Sequence, residues 1–228
     1  DALANGMKVL HIYQGELPMA QFSMRIKGGM FLDNPSKIGT SALLDNMLME
    51  GTANKTPQEL EEAIGQLGAR VSVSTSREYM TISGNCLAKN YDQVLALVNE
   101  ILLEPRWDEK EFARIKSSAL NSIQQSNANP NAIASKVFDR VMYGDEHIFA
   151  NPISGTASSV ESITLGDLKA YYEKNFSPKL AAFHFVGALD KATVMNSLEI
   201  FEAWDTPEAT FPSYEVKTKQ EGSRIYFV

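Results

Sequence analysis

The chain has 228 residues, 44% of them hydrophobic and 21% charged, enough to bury a full core without covalent staples. With 21 Lys and Arg against 28 Asp and Glu the net charge is -7, and no long basic run occurs, which excludes the electrostatic footprint of a nucleic-acid binder. Cys86 is the single cysteine, so a disulfide framework and a cysteine-based zinc cluster are excluded. Apolar stretches such as that from Val94 to Leu103 are too short and too interrupted to insert into a membrane.

Asn5-Gly6 is a turn signal, and the stretch from Met7 to Tyr13 reads as a strand through Val9, Leu10, Ile12 and Tyr13. From Met19 to Lys27, Phe22, Met24 and Ile26 alternate with Gln21, Ser23 and Arg25, the period of a half-buried strand, which Gly28-Gly29 ends. Leu43, Leu44, Met47 and Leu48 give the segment from Ile38 to Met49 a helical apolar face. Thr56-Pro57-Gln58-Glu59 is the clearest helix start, with Thr56 as N-cap, Pro57 where no N–H is needed and Glu59 completing a capping box. Leu60, Ala63, Ile64 and Leu67 follow on one face, and Gly68 stops the helix. The segments 70–76 and 78–85 read as a hairpin. Helices are expected over 91–103, 108–125, 131–143 and 164–174, a short strand from Ala181 to Val186, and a last helix over 191–201.

Paired strands separated by blocks of helices predict an α+β fold, a largely antiparallel sheet covered by helices. One domain is expected over 1–205. The Pro-dotted stretch from Thr206 to Pro212 reads as a linker, and 206–228 as linker plus the start of a strand, Arg224 to Val228, leading into a further domain. With Asp1 in first place, the expectation is a segment of a longer polypeptide.

Only three histidines are present, His11, His147 and His184, none with a second His or a Cys at ligand spacing. His11 and His184 fall in strand patterns and read as hydrogen-bonded or edge-facing strand residues; His147 follows Gly144-Asp145-Glu146 in a loop, where a structural role also outweighs ligation. No nucleophile elbow, phosphate loop or dinucleotide fingerprint occurs. The acidic pairs Glu61-Glu62 and Glu109/Glu111 read as solvated helix faces, and Cys86 as a small packing group on a strand.

Two blocks carry a resemblance: Gly28-Gly29-Met30-Phe31-Leu32-Asp33, and Gly39-Thr40-Ser41-Ala42-Leu43-Leu44-Asp45-Asn46-Met47-Leu48-Met49-Glu50-Gly51-Thr52. With Asn129-Pro130, Asn151-Pro152-Ile153-Ser154-Gly155-Thr156, Ser162-Ile163-Thr164 and Asp167-Leu168 in this order, the chain resembles a domain of the pitrilysin/insulinase metallopeptidase family, which includes the mitochondrial processing peptidase. There a Gly-Gly strand end precedes a helix bearing H-x-x-E-H, followed by Met-Leu-x-x-Gly-Thr. Two His one helical turn apart bind zinc, and the Glu acts on zinc-bound water. In this chain those positions hold Ala42, Asp45 and Asn46. The family's third ligand is a Glu about 76 residues after the second His, and that interval from Asn46 lands on Ser122.

The resemblance therefore implies a retired site. Ala42 has no donor atom, Asn46 and Ser122 offer weak neutral oxygens, and one shortened carboxylate does not hold zinc against water; no metal and no other cofactor is expected. Members of the family form clamshells of two homologous halves, of which one carries the metal. The implied role is a catalytically inactive domain that walls a peptide-binding chamber and docks a catalytic half bearing H-x-x-E-H, fused or separate. The alternative is a scaffold subunit of a larger complex that handles no peptide. An unrelated hydrolase chemistry lacks a visible nucleophile and base. The cell envelope and the mitochondrial matrix both suit the resemblance.

Overall fold

The computed structural model describes residues 1–204 and 210–214. Alternation builds the sheet. In β2 (Met19–Lys27), Ala20, Phe22, Met24 and Ile26 are buried while Gln21, Arg25 and Lys27 are exposed, the signature of a strand with one covered face. With β1 (Lys8–Tyr13), β3 (Arg70–Thr75), β4 (Tyr79–Leu87) and β5 (Ala181–Gly187) it forms one sheet in the order β1-β5-β2-β4-β3. β1 and β5 run parallel; the pairings of β5 with β2, β2 with β4 and β4 with β3 are antiparallel. The fold is thus α+β with a largely antiparallel sheet. β5 lies between β1 and β2 although it comes last in the chain, and its inward Ala181, Phe183 and Phe185 fill the centre of the core.

Helices cover one face. They are α1 (Thr40–Leu48), α2 (Pro57–Gln66), α3 (Tyr91–Leu103), α4 (Glu109–Ser126), α5 (Pro130–Tyr143), α6 (Ala157–Ser162), α7 (Leu165–Asn175) and α8 (Lys191–Ser197). Most begin where side-chain chemistry directs. Thr56 and Glu59 form the capping box of α2, Asp108 caps α4, Asn129 with Pro130 starts α5, and Thr164 with Asp167 boxes α7. α1 packs against β3, α4 and α7, burying Leu43, Leu44, Met47 and Leu48. Complete burial of a leucine such as Leu44 contributes roughly 1.5–3 kcal/mol.

Most bounds fall within one or two residues of the sequence expectation, and three differences have a clear physical reason. The helix expected from Ile38 begins at Thr40, because Gly39 has φ 104°, in the left-handed region. The carboxylate of Asp33 accepts the Gly39 and Ser41 amides at 2.9 Å each and so fixes this start. α6 was not expected: six residues do not display a helical period, and its box pairs Thr156 with Ser159 instead of an acidic or amide side chain. The helix expected over 191–201 divides into α8 and a 3-10 turn, Leu198–Phe201.

The expected strand from Arg224 and most of the expected linker lie outside the described residues. Residues 210–214 carry no regular structure, and the Phe211 and Tyr214 rings stand 6.3 and 5.2 Å from that of Phe31. Phe31, Phe149, Ile153 and Tyr214 pack on a small second core of Met30, Ile38 and Ile148.

Candidate functional site

Two helix faces meet at the site. Ala42, Asn46 and Glu50 stand four residues apart along α1 and its C-terminal end; Arg114, Ser118 and Ser122 stand four apart along α4. Residues at that spacing share one helical face, and the packing of α1 on α4 sets the two rows against each other. Between them lies a cleft of about 260 Å³ lined by all six. Of the four positions taken from the sequence, the fold brings Ala42, Asn46 and Ser122 to this cleft. Asp45 is half-buried beside it and does not line it.

The donor chemistry is unlike that of a metal site. Ala42 is a methyl group. The Asn46 amide nitrogen donates to the Ala42 carbonyl at 2.8 Å and to Asp45 Oδ1 at 2.7 Å, so the side chain is tied to its own helix. Burial pushes the Asp45 carboxyl up to about 6, held back by neighbouring Thr75 and Asn46. Among the described residues Glu50 is the one carboxylate on the cleft wall, and the guanidinium of Arg114 is paired with it. Arg114 Nε also donates to Glu111 at 2.8 Å, and the two carboxylates hold the guanidinium above its ordinary range. A divalent cation at this place would meet an arginine and no free acidic oxygen, so the residues do not fit zinc. Among the described residues, no group of three His, Cys, Asp or Glu is placed to hold a metal ion.

Glu50, Arg114 and Ser118 were not singled out from the sequence. The four-residue spacing of Arg114, Ser118 and Ser122 was readable; the contact of that row with α1 was not. Glu111, read as part of a solvated face, instead belongs to the Arg114 pairings.

The histidines lie elsewhere. His11 Nε2 stands 2.9 Å from the Leu189 carbonyl oxygen and its ring stacks on Phe185. His184 Nδ1 lies 3.3 Å from the Ser23 carbonyl oxygen. His147 is buried between Tyr143, Phe149 and Tyr214, accepts the Phe149 amide, and has its pKa lowered by that burial. Cys86 is fully buried on β4, with its thiol pushed up to about 11.

One further element borders α1. Among the described residues β3 pairs only with β4, at the end of the strand order, and the Thr75 hydroxyl at its end donates to the Ser41 carbonyl of α1 at 2.9 Å. An edge strand presents a row of backbone donors and acceptors to an incoming chain.

The one-sided α+β layer, with the Arg114–Glu50 pair in its α1–α4 cleft, is that of a metallopeptidase-like domain. The sequence model for insulinase, peptidase family M16, matches residues 8–156, and the chain belongs to that family. It is 23% identical over 218 residues to the uncharacterized zinc protease YmxG of Bacillus subtilis, covering 96% of this chain and 51% of the relative. It is 25% identical over 174 residues to the non-peptidase homolog YmxG of Helicobacter pylori, covering 75% and 40%. Among solved structures, a peptidase M16 inactive domain from Pseudomonas fluorescens superposes with a TM-score of 0.87 at 26% identity, over 94% of this chain and 53% of that one. The chain spans about half the length of these relatives or less. Its likeness to an inactive domain and to a non-peptidase homologue supports an inactive half.

Proposed function

We propose that this chain is a catalytically inactive domain of a two-half zinc metallopeptidase, forming part of the wall of a peptide-binding chamber and docking the half that carries H-x-x-E-H. Ala42, Asp45, Asn46 and Ser122 are then the vestigial catalytic and ligand positions, residues 1–205 one domain, and 206–228 the passage to the next. The carrying observation is the cleft, where the Arg114 guanidinium and its Glu50 partner face Ala42, Asn46 and Ser122. A fixed cation there opposes metal uptake and joins α1 to α4, the two helices a metal would otherwise bridge. The edge that β3 forms among the described residues supports peptide handling, because an extended peptide gains main-chain hydrogen bonds by adding to such an edge while side chains are read by neighbouring surfaces.

The experiment is co-expression with a homologous subunit that bears H-x-x-E-H, followed by co-purification and hydrolysis of a quenched fluorescent peptide. The expected result is a complex whose activity needs both chains. That activity is abolished by changing the partner's zinc ligands and unaffected by Asp45→Ala here. A stable complex with full activity in the partner alone would favour the scaffold reading, and loss of activity on Asp45→Ala in a folded complex would overturn the assignment of an inactive site.

A further inference from the structure

A second cavity, of about 660 Å³, opens between the loop 32–40, the C-terminal part of α7 and the segment 210–214. This is the size range of sites for small organic ligands. Much of the lining is apolar, from Leu32, Pro35, Ala170, Pro212 and the ring of Tyr214. Three buried polar residues also line it; the Thr40 hydroxyl donates to the Lys37 carbonyl at 2.7 Å, whereas Asp33 and Asn175 each have an unmet need. Asp33, 3% exposed, has no ion-pair partner among the described residues. Its oxygens accept the Gly39 and Ser41 amides, so its charge is offset only by the fractional positive end of α1. Asn175, 5% exposed, has no hydrogen-bond partner for its side-chain amide among the described residues.

Neither need is met by the lysines at the rim. Lys37 is ion-paired with Asp167 at 2.6 Å, and Lys174 is exposed. A buried carboxylate without a cation is costly, and the Asn175 amide, open to the cavity, has its hydrogen-bonding capacity free for a ligand. The carboxylate calls for a cation. The amide calls for an acceptor and a donor together, since its oxygen accepts and its nitrogen donates. An inorganic cation answers only the first, and a carboxylic acid carries the wrong charge.

We propose that this cavity binds the amino end of a short peptide. The ammonium answers Asp33, the first peptide group pairs with Asn175 in both directions, and the first side chain lies on Leu32, Pro35 and Tyr214. Exposed Lys174 favours neutral or acidic residues beyond the first two. This site does not depend on the α1–α4 cleft or on the reading of the chain as an inactive half.

The test is isothermal titration calorimetry of the whole chain at pH 7.5 with leucyl-alanine amide, its N-acetylated form, and ammonium chloride. The expected result is saturable binding of the free-amine peptide, weakening by at least about tenfold on acetylation, which removes the charge and keeps the peptide groups. Asn175→Leu, similar in size and apolar, is expected to lose binding to a similar degree while keeping the wild-type circular dichroism spectrum. Equal affinity of the two peptides overturns the proposal, as does ammonium chloride matching the free-amine peptide. Absence of heat from that peptide up to about 10 mM with folded protein also overturns it. The acetylation comparison uses the wild-type chain, so the test stands even where the variant fails to fold.

Discussion

Asp33→Asn isolates the electrostatics at the start of α1. Burial pushes the Asp33 carboxyl from 3.8 up to about 7, against the hydrogen bonds it accepts from Gly39 and Ser41. The folded chain therefore keeps this proton to about pH 7, whereas the unfolded chain releases it near 3.8. Between those values the native state binds more protons than the unfolded state, so the free energy of unfolding falls as pH rises. At about 1.4 kcal/mol per pH unit, the whole interval is worth roughly 4 kcal/mol as an upper bound, and the part between pH 5 and 7 roughly 2–3 kcal/mol. Asp45, pushed up to about 6, contributes a slope of the same sign in both proteins, so the difference between them reports Asp33. The measurement is urea unfolding followed by far-ultraviolet circular dichroism from pH 5 to pH 8. Wild type is expected to lose about 2–3 kcal/mol more than Asp33→Asn over that range. Parallel curves, or a wild type that gains on the variant as pH rises, would mean that the two amides and the helix terminus outweigh burial and hold the carboxylate charged.

Rebuilding the family's donors tests the four vestigial positions. Ala42→His, Asp45→Glu, Asn46→His and Ser122→Glu, with Arg114→Ala to remove the resident cation, should yield a chain that carries near-stoichiometric zinc by elemental mass spectrometry. At a free zinc concentration of about a thousand times Kd, binding adds about 4 kcal/mol, or roughly 8–16 °C in Tm for a domain of this size; a folded variant that holds no zinc would show the positions to be misassigned. Gly29→Ala should lower stability by about 2 kcal/mol or more in the same urea assay, because Gly29 sits at φ 56° and a Cβ there would overlap the Ser76 carbonyl oxygen. A change of less than about 0.5 kcal/mol would mean that the β2 terminus relaxes around the methyl group.

Much of the fold was legible because its causes are local. The alternation from Met19 to Lys27, the Thr56-Pro57-Gln58-Glu59 box and the Thr164/Asp167 pair each act within a few residues, and the elements they predict are present. The short helix α6 was missed for want of length, and the place of β5 between β1 and β2 for want of any local signal, since strand order follows from how helices pack over the sheet. The candidate site divides in the same way. Ala42 and Asn46 were picked out by resemblance and Ser122 by counting along the chain, and the fold brings the three to one cleft.

The ion pair in the α1–α4 cleft was not readable. Arg114 and Glu50 are 64 positions apart, and only the packing of α4 on α1 makes them a pair. The same holds for Asp33 and Asn175, unremarkable in sequence, which share one cavity once the loop 32–40 and α7 are in place. Backbone propensity, capping and apolar period act over a few residues and so leave their record in order along the chain. A cleft, a buried charge or an unpaired amide depends on which distant groups exclude water together, and that is decided by tertiary packing alone.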